Sequence, residues 1–93
     1  MMTSERQVTI LNRKGLHVRP AAAFAKEASR FKSKIRILRD GRSFDGKSSL
    51  DLLMIAAVPG TRLVIQAEGD DAAEAAEALA RFVDSRFGME EAD

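Results

Sequence analysis

From Val18 to Phe31 the residues Ala21, Phe24, Ala25, Ala28 and Phe31 recur at spacings of three and four, and on both sides of that stripe the apolar pattern shortens to a period of two. The longer period lays one face of an α-helix on a core, and the shorter lays one face of a β-strand there. A chain that switches repeatedly between the two buries its apolar residues by stacking helices on a sheet.

Val8-Thr9-Ile10-Leu11 reads as a strand, and Asn12-Arg13-Lys14-Gly15 as a polar turn. A helix from Val18 to about Phe31 follows, with His17 at or near its N-cap. Lys34 to Arg39 alternates, Asp40-Gly41 is a tight-hairpin signal, and Arg42 to Asp45 is the returning arm. Ser48-Ser49-Leu50-Asp51 matches a capping box and predicts a short helix, apolar from Leu50 to Val58, that Pro59-Gly60 ends in a turn. Thr61 to Ala67 alternates as a fourth strand. After Asp70-Asp71, whose charges suit a helix start, the run from Ala72 to about Phe87 places Ala76, Leu79, Phe82 and Val83 on one face. The tail from Gly88 to Asp93 reads as frayed.

The order βαββαβα leaves connections too short for a large parallel sheet. The expected fold class is α+β, a four-stranded antiparallel sheet with three helices on one face. Ninety-three residues supply one core, so residues 1–93 are read as a single domain with its core at about 8–87.

Composition removes several function classes. Fifteen Lys+Arg against 14 Asp+Glu give a formal charge of +1, so no overall field draws in nucleic acid or an anionic membrane. The absence of Tyr and Trp argues against stacking single-stranded bases, which leaves Phe44 and the basic hairpin as thin support for a nucleic-acid-binding domain. With no cysteine and one histidine, neither a disulfide scaffold nor a histidine-rich metal site is expected. No run approaches the ~18 apolar residues of a membrane span. The expectation is a soluble cytoplasmic protein, monomeric, without metal or cofactor.

His17, the one histidine, lies in Gly15-Leu16-His17-Val18-Arg19-Pro20 at the mouth of the first helix. There the unpaired amides and the positive end of the helix dipole favour an anion. Pro20 has no amide, so Val18 and Arg19 are the candidate phosphate-binding donors, and the Arg19 guanidinium adds a charged contact. No second acid or base accompanies His17, which argues against an independent hydrolase. The residues alone leave two readings: an ordinary exposed cap histidine, or an imidazole competent to carry a phosphoryl group.

Gly15 to Ala22 resembles the active-site signature of the histidine-containing phosphocarrier (HPr) family of the phosphotransferase system. Gly46-Lys47-Ser48 with Leu50-Asp51-Leu52-Leu53, Pro59-Gly60-Thr61, and Ala67-Glu68-Gly69-Asp70-Asp71 resemble later landmarks of that family in the same order, covering Val8 to Phe87. The resemblance implies an open-faced β-sandwich. It implies that His17 is phosphorylated through Nδ1, with Arg19 as phosphate partner, by enzyme I charged from phosphoenolpyruvate, and that enzyme II A receives the group. Asn12, Leu53 to Ala57 and Arg86-Phe87-Gly88 are similar to the nitrogen-branch paralogue NPr, a regulatory carrier, which is the alternative within the family.

Ser48 aligns with the family's regulatory serine, the target of HPr kinase/phosphorylase where that enzyme operates. Its placement three residues before Asp51 also suits a plain helix N-cap. Ser49 departs from the bulky apolar residue usual in the family. At helical spacing Leu52, Ile55 and Ala56 suit the core, leaving Leu50, Leu53 and Met54 as a partner surface near His17.

Overall fold

The computed structural model describes residues 2–89. Strand β1 spans Thr3–Thr9, helix α1 Val18–Ala28, β2 Lys34–Arg39, β3 Arg42–Asp45, α2 Ser49–Met54, β4 Arg62–Glu68 and α3 Ala72–Asp84, followed by a short turn at Arg86–Gly88. The strands form one antiparallel sheet in the order β1-β4-β2-β3. β4 sits between β1 and β2, pairing Val8 with Leu63 on one side and Ile37 with Ile65 on the other. The expected α+β architecture, an open-faced sandwich with helices on one face, is the one observed.

Alternation along the strands builds the core. Val8, Ile35, Ile37, Leu63, Ile65 and Ala67 point to the helical side and are buried. Ala21, Phe24, Ala25 and Ala28 of α1 and Ala72, Ala75, Ala76, Leu79 and Val83 of α3 cover them. Small alanines let the two helices lie close to the sheet, and the few large residues fill the remaining space. The opposite face is mostly polar apart from the Leu38–Val64 pair, with Gln66 Nε2 donating to Glu5 Oε2 at 2.7 Å.

Several boundaries differ from the sequence reading, each for a physical reason. β1 starts at Thr3, not Val8, because backbone pairing from Thr3↔Glu68 to Thr9↔Arg62 holds a polar stretch that has no apolar alternation to read. α1 ends at Ala28. The Ser29 hydroxyl donates to the Ala25 carbonyl at 2.8 Å, and Phe31 turns away through a bond to Ala28 while still packing on the core. The Asp40-Gly41 hairpin is as expected, with φ of 49° and 80°, the left-handed pair that a two-residue turn of this kind requires.

α2 stops at Met54, well before Val58, because Ala56 adopts φ 54° and swings Ala57 toward the loop that carries His17. α3 stops at Asp84 and not near Phe87. Arg86 and Phe87 both enter the left-handed region, at φ 58° and 57°, which turns the Phe87 ring back into the core. There it meets Phe24 and Phe82 edge-on, with centroids 6.3 and 5.8 Å away. Gly88 and Met89, expected to be frayed, are hydrogen-bonded back to Ser85 and Arg86; residues 90–93 lie outside the described residues.

Candidate functional site

The sheet delivers the chain to the site. Ile10 continues the pairing of β1 with β4, its amide donating to Thr61 at 2.9 Å and its carbonyl accepting from Gly60 at 2.8 Å. Asn12 then dives into the interior, fully buried, and its carbonyl accepts from Gly15 at 2.9 Å to close a turn. Gly15 has φ 69°, and a Cβ there would lie 2.3 Å from the Ala57 carbonyl oxygen. Only glycine tolerates both demands. The next amide, Leu16, donates to that same carbonyl at 2.9 Å, and the Leu16 side chain is buried.

His17 follows as the N-cap of α1, in extended conformation at φ −92° and ψ −166°. Its carbonyl accepts the first bond of the helix ladder, from Ala21 at 3.0 Å. The helix ladder therefore does not use the amides of Val18 and Arg19, and Pro20 has none. The imidazole makes no cap bond of its own. It is half-buried, and its Nε2 is enclosed without a hydrogen-bond partner, whereas Nδ1 has no such enclosure. Among the described residues the other enclosed side-chain atom lacking a partner is Asn12 Oδ1, on the same loop.

Val18 and Arg19 are exposed on the first turn. Leu11, Leu50, Met54 and Val58 are exposed apolar residues of the neighbouring segments, with Leu50 at 72% and Met54 at 63% exposure. The Leu16–Ala57 bond and the packing of α1 on α2 draw these segments together. Two residues depart from expectation. Leu53, one position along the helix from buried Leu52, is half-buried against the core, and Ala56 is exposed because the helix unwinds after Met54 and rotates the later positions off the expected face.

Ser48 is the N-cap of α2, with its Oγ accepting from the Asp51 amide at 3.1 Å. The reciprocal half of a capping box is absent. Asp51 Oδ2 accepts from Asp45 at 3.0 Å, and the Ser48 amide donates to the Asp45 carbonyl. The same diversion occurs at α3, where the Asp71 carbonyl accepts from Ala75 at 2.8 Å but the Asp71 side chain makes no cap bond to its own helix. Its carboxylate accepts instead from the amides of Lys32 and Ser33 and from the Ser33 hydroxyl. Those bonds, the hydroxyl's first, hold the Asp71 carboxyl below its ordinary 3.8.

Asn12, Ala57 and Arg86, marked in the sequence by a family resemblance but not as site residues, shape the site. Asn12 Nδ2 donates to the Arg86 carbonyl at 3.1 Å, across 74 positions of chain. No local pattern signals such a contact. Among the described residues no group of three or more His, Cys, Asp or Glu is placed to hold a metal ion. Among the same residues no helix is long and apolar enough to cross a membrane.

An open-faced sandwich that presents one imidazole at a helix mouth, where unpaired amides favour a bound anion, has the build of a small α+β protein of the group-carrier class. The family described as PTS HPr component phosphorylation site matches residues 4–85. The phosphocarrier protein HPr of Cupriavidus necator is 37% identical over 84 residues, covering 90% of this chain and 94% of its own length. A crystal structure of HPr from Thermoanaerobacter tengcongensis superposes with a TM-score of 0.88 at 38% identity, covering 94% of this chain and 98% of that one. A structure of an HPr dimer from the same organism gives a TM-score of 0.74 at 38% identity, covering 88% and 94%. The chain belongs to the HPr family of phosphocarriers of the phosphotransferase system.

Proposed function

We propose that His17 accepts a phosphoryl group on Nδ1 from a phosphohistidine of enzyme I, itself charged by phosphoenolpyruvate, and passes it to enzyme II A. The observation that carries this reading is the unequal placement of the two ring nitrogens. Nε2 is enclosed while Nδ1 is not, so with the ring proton on Nε2 the Nδ1 lone pair is the accessible nucleophile. In the transfer a new P–N bond forms at Nδ1 as the donor's P–N bond breaks, and the bonding pair returns to the donor imidazole. The departing step reverses these roles at the acceptor histidine.

The Val18 and Arg19 amides at the helix mouth and the Arg19 guanidinium favour the charge of the transferred group. Holding that charge on preformed donors costs little reorganisation, as a carrier that loads and unloads repeatedly requires. Val18 on α1 and Leu50 and Met54 on α2, which packs against α1, offer exposed apolar contact area for enzyme I and enzyme II A, with Leu53 half-buried. The protein is read as a monomeric, cytoplasmic single domain needing neither metal nor cofactor. Ser48 acts as a helix cap, and a kinase/phosphorylase could add regulation only by taking hold of that capping hydroxyl.

The test is incubation with labelled phosphoenolpyruvate and purified enzyme I of the sugar branch or of the nitrogen branch. Acid-labile label on the wild type, absent from His17→Ala, is the expected result, and the enzyme I that loads it faster separates an HPr role from an NPr role. No label with either enzyme overturns the reading.

A further inference from the structure

Asn12 is fully buried, yet only one end of its amide is satisfied: Nδ2 donates to the Arg86 carbonyl at 3.1 Å, while Oδ1 is enclosed with no partner. A buried acceptor left unpaired costs stability, and an apolar residue of similar shape would avoid that cost. Stability alone therefore does not account for the amide. What it does hold is a strained element. Arg86 and Phe87, neither of them glycine, sit at φ 58° and 57°, a region that disfavours any side chain and persists only where its surroundings hold it.

The surroundings in question belong to the His17 site. The Phe87 ring packs on Phe24 of α1, the helix that His17 caps. The Arg86 carbonyl receives Asn12 Nδ2 from the loop that leads to His17. The Asn12 main chain closes the turn onto Gly15, and Leu16 is tied to Ala57, so the five residues before His17 are braced internally and anchored to the rest of the fold at Ala57 and Arg86. The anchor at Arg86 is the one that reaches the C-terminal turn.

We propose that Asn12 is a positioning residue for the phosphoryl chemistry, clamping the His17 loop to the left-handed turn at Arg86–Gly88 so that the imidazole keeps its orientation at the helix mouth. The proposal rests on the reading of His17 given above. Small misplacements of a reacting group are costly, so loosening the clamp slows transfer without weakening the association of partners.

The test uses the full chain and the variant Asn12→Leu, which removes both amide ends. The Arg86 carbonyl keeps a donor, the Met89 amide at 3.0 Å. Expected are a melting temperature within a few degrees of wild type, a kcat for loading by enzyme I lowered about tenfold, a KM changed less than twofold, and an altered hydrolysis rate of the isolated phosphoprotein. A folded variant with kcat within twofold of wild type overturns the proposal. If Asn12→Leu does not fold, Asn12→Ala is read by the same criteria. Amide exchange at Gly15 and Leu16 reads the clamp without any transfer. Unchanged exchange in a folded variant also overturns it, whereas failure of wild type to take label, with exchange accelerated in the variant, overturns the function of His17 and not the clamp.

Discussion

Asp71 and Ser33 are joined across the fold. The Asp71 carboxylate accepts from the Ser33 hydroxyl and amide through one oxygen and from the Lys32 amide through the other, with both amide bonds at 2.9 Å. A residue positioned to cap α3 thus spends its acceptors on the turn after α1. The reason is supply: that turn presents adjacent donors with no ladder to join, and α3 begins beside them. Gly69 permits the approach, since a Cβ there would lie 2.6 Å from Ser33 Oγ.

Replacing Asp71 with Asn removes the charge from this brace and leaves an amide that presents one acceptor oxygen where there were two. The melting temperature is expected to fall by several degrees. The pH dependence has a definite sign: a carboxyl whose folded pKa lies below the ordinary 3.8 contributes stability that is fully present above that value and is lost as the pH falls through the folded pKa. Urea titrations between pH 5 and about pH 2 should show a steeper loss for wild type than for Asp71→Asn.

Gly15→Ala forces a side chain into the left-handed region at φ 69° and onto the Ala57 carbonyl. A loss of about 1–3 kcal/mol is expected from such strain. Because Leu16 bonds to that same carbonyl, His17 shifts with it, and loading by enzyme I should fall more than the folded fraction does. Denaturation and phosphorylation measured on one preparation separate the two losses.

Ser48→Ala removes the acceptor for the Asp51 amide and should cost about 1 kcal/mol. Ser48→Asp restores an acceptor and adds negative charge at the helix start, so its stability should return to near wild type. If Ser48 were needed for transfer beyond capping, Ser48→Asp would remain slow at wild-type stability. Thermal melts beside loading rates decide this.

Leu50 and Met54 project into solvent while Leu52, one turn of the same helix, is 1% exposed. Leu50→Ser and Met54→Ser should each alter stability by no more than about 0.5 kcal/mol. Leu52→Ala should cost about 2–5 kcal/mol. Loading by enzyme I, followed by its KM, should weaken for the first two variants at full stability, which locates partner contact on the exposed face.

Much of this was legible locally. The hairpin at Asp40-Gly41, the cap at Ser48 and the placement of His17 before α1 depend on neighbours a few residues apart, and short-range patterns report such neighbours. Other features were hidden by kind. β1 extends through Thr3 to Gln7 on backbone pairing, which leaves no mark on side-chain identity. The apolar run from Leu50 to Val58 looked like one helix because nothing in it breaks a helix. It ends early because Ala57 is needed beside Leu16.

The sequence by itself determined which elements form, which of their faces are apolar, and that a lone histidine with an arginine two positions on stands at a helix mouth. Periodicity and capping chemistry act within a few residues, so the chain carries them openly. Only the tertiary structure decided which nitrogen of that histidine is enclosed, that Asn12 reaches Arg86, and that the Asp71 carboxylate serves Ser33 instead of its own helix. These depend on groups brought together from distant parts of the chain, where buried donors and acceptors take the partners that packing places within reach.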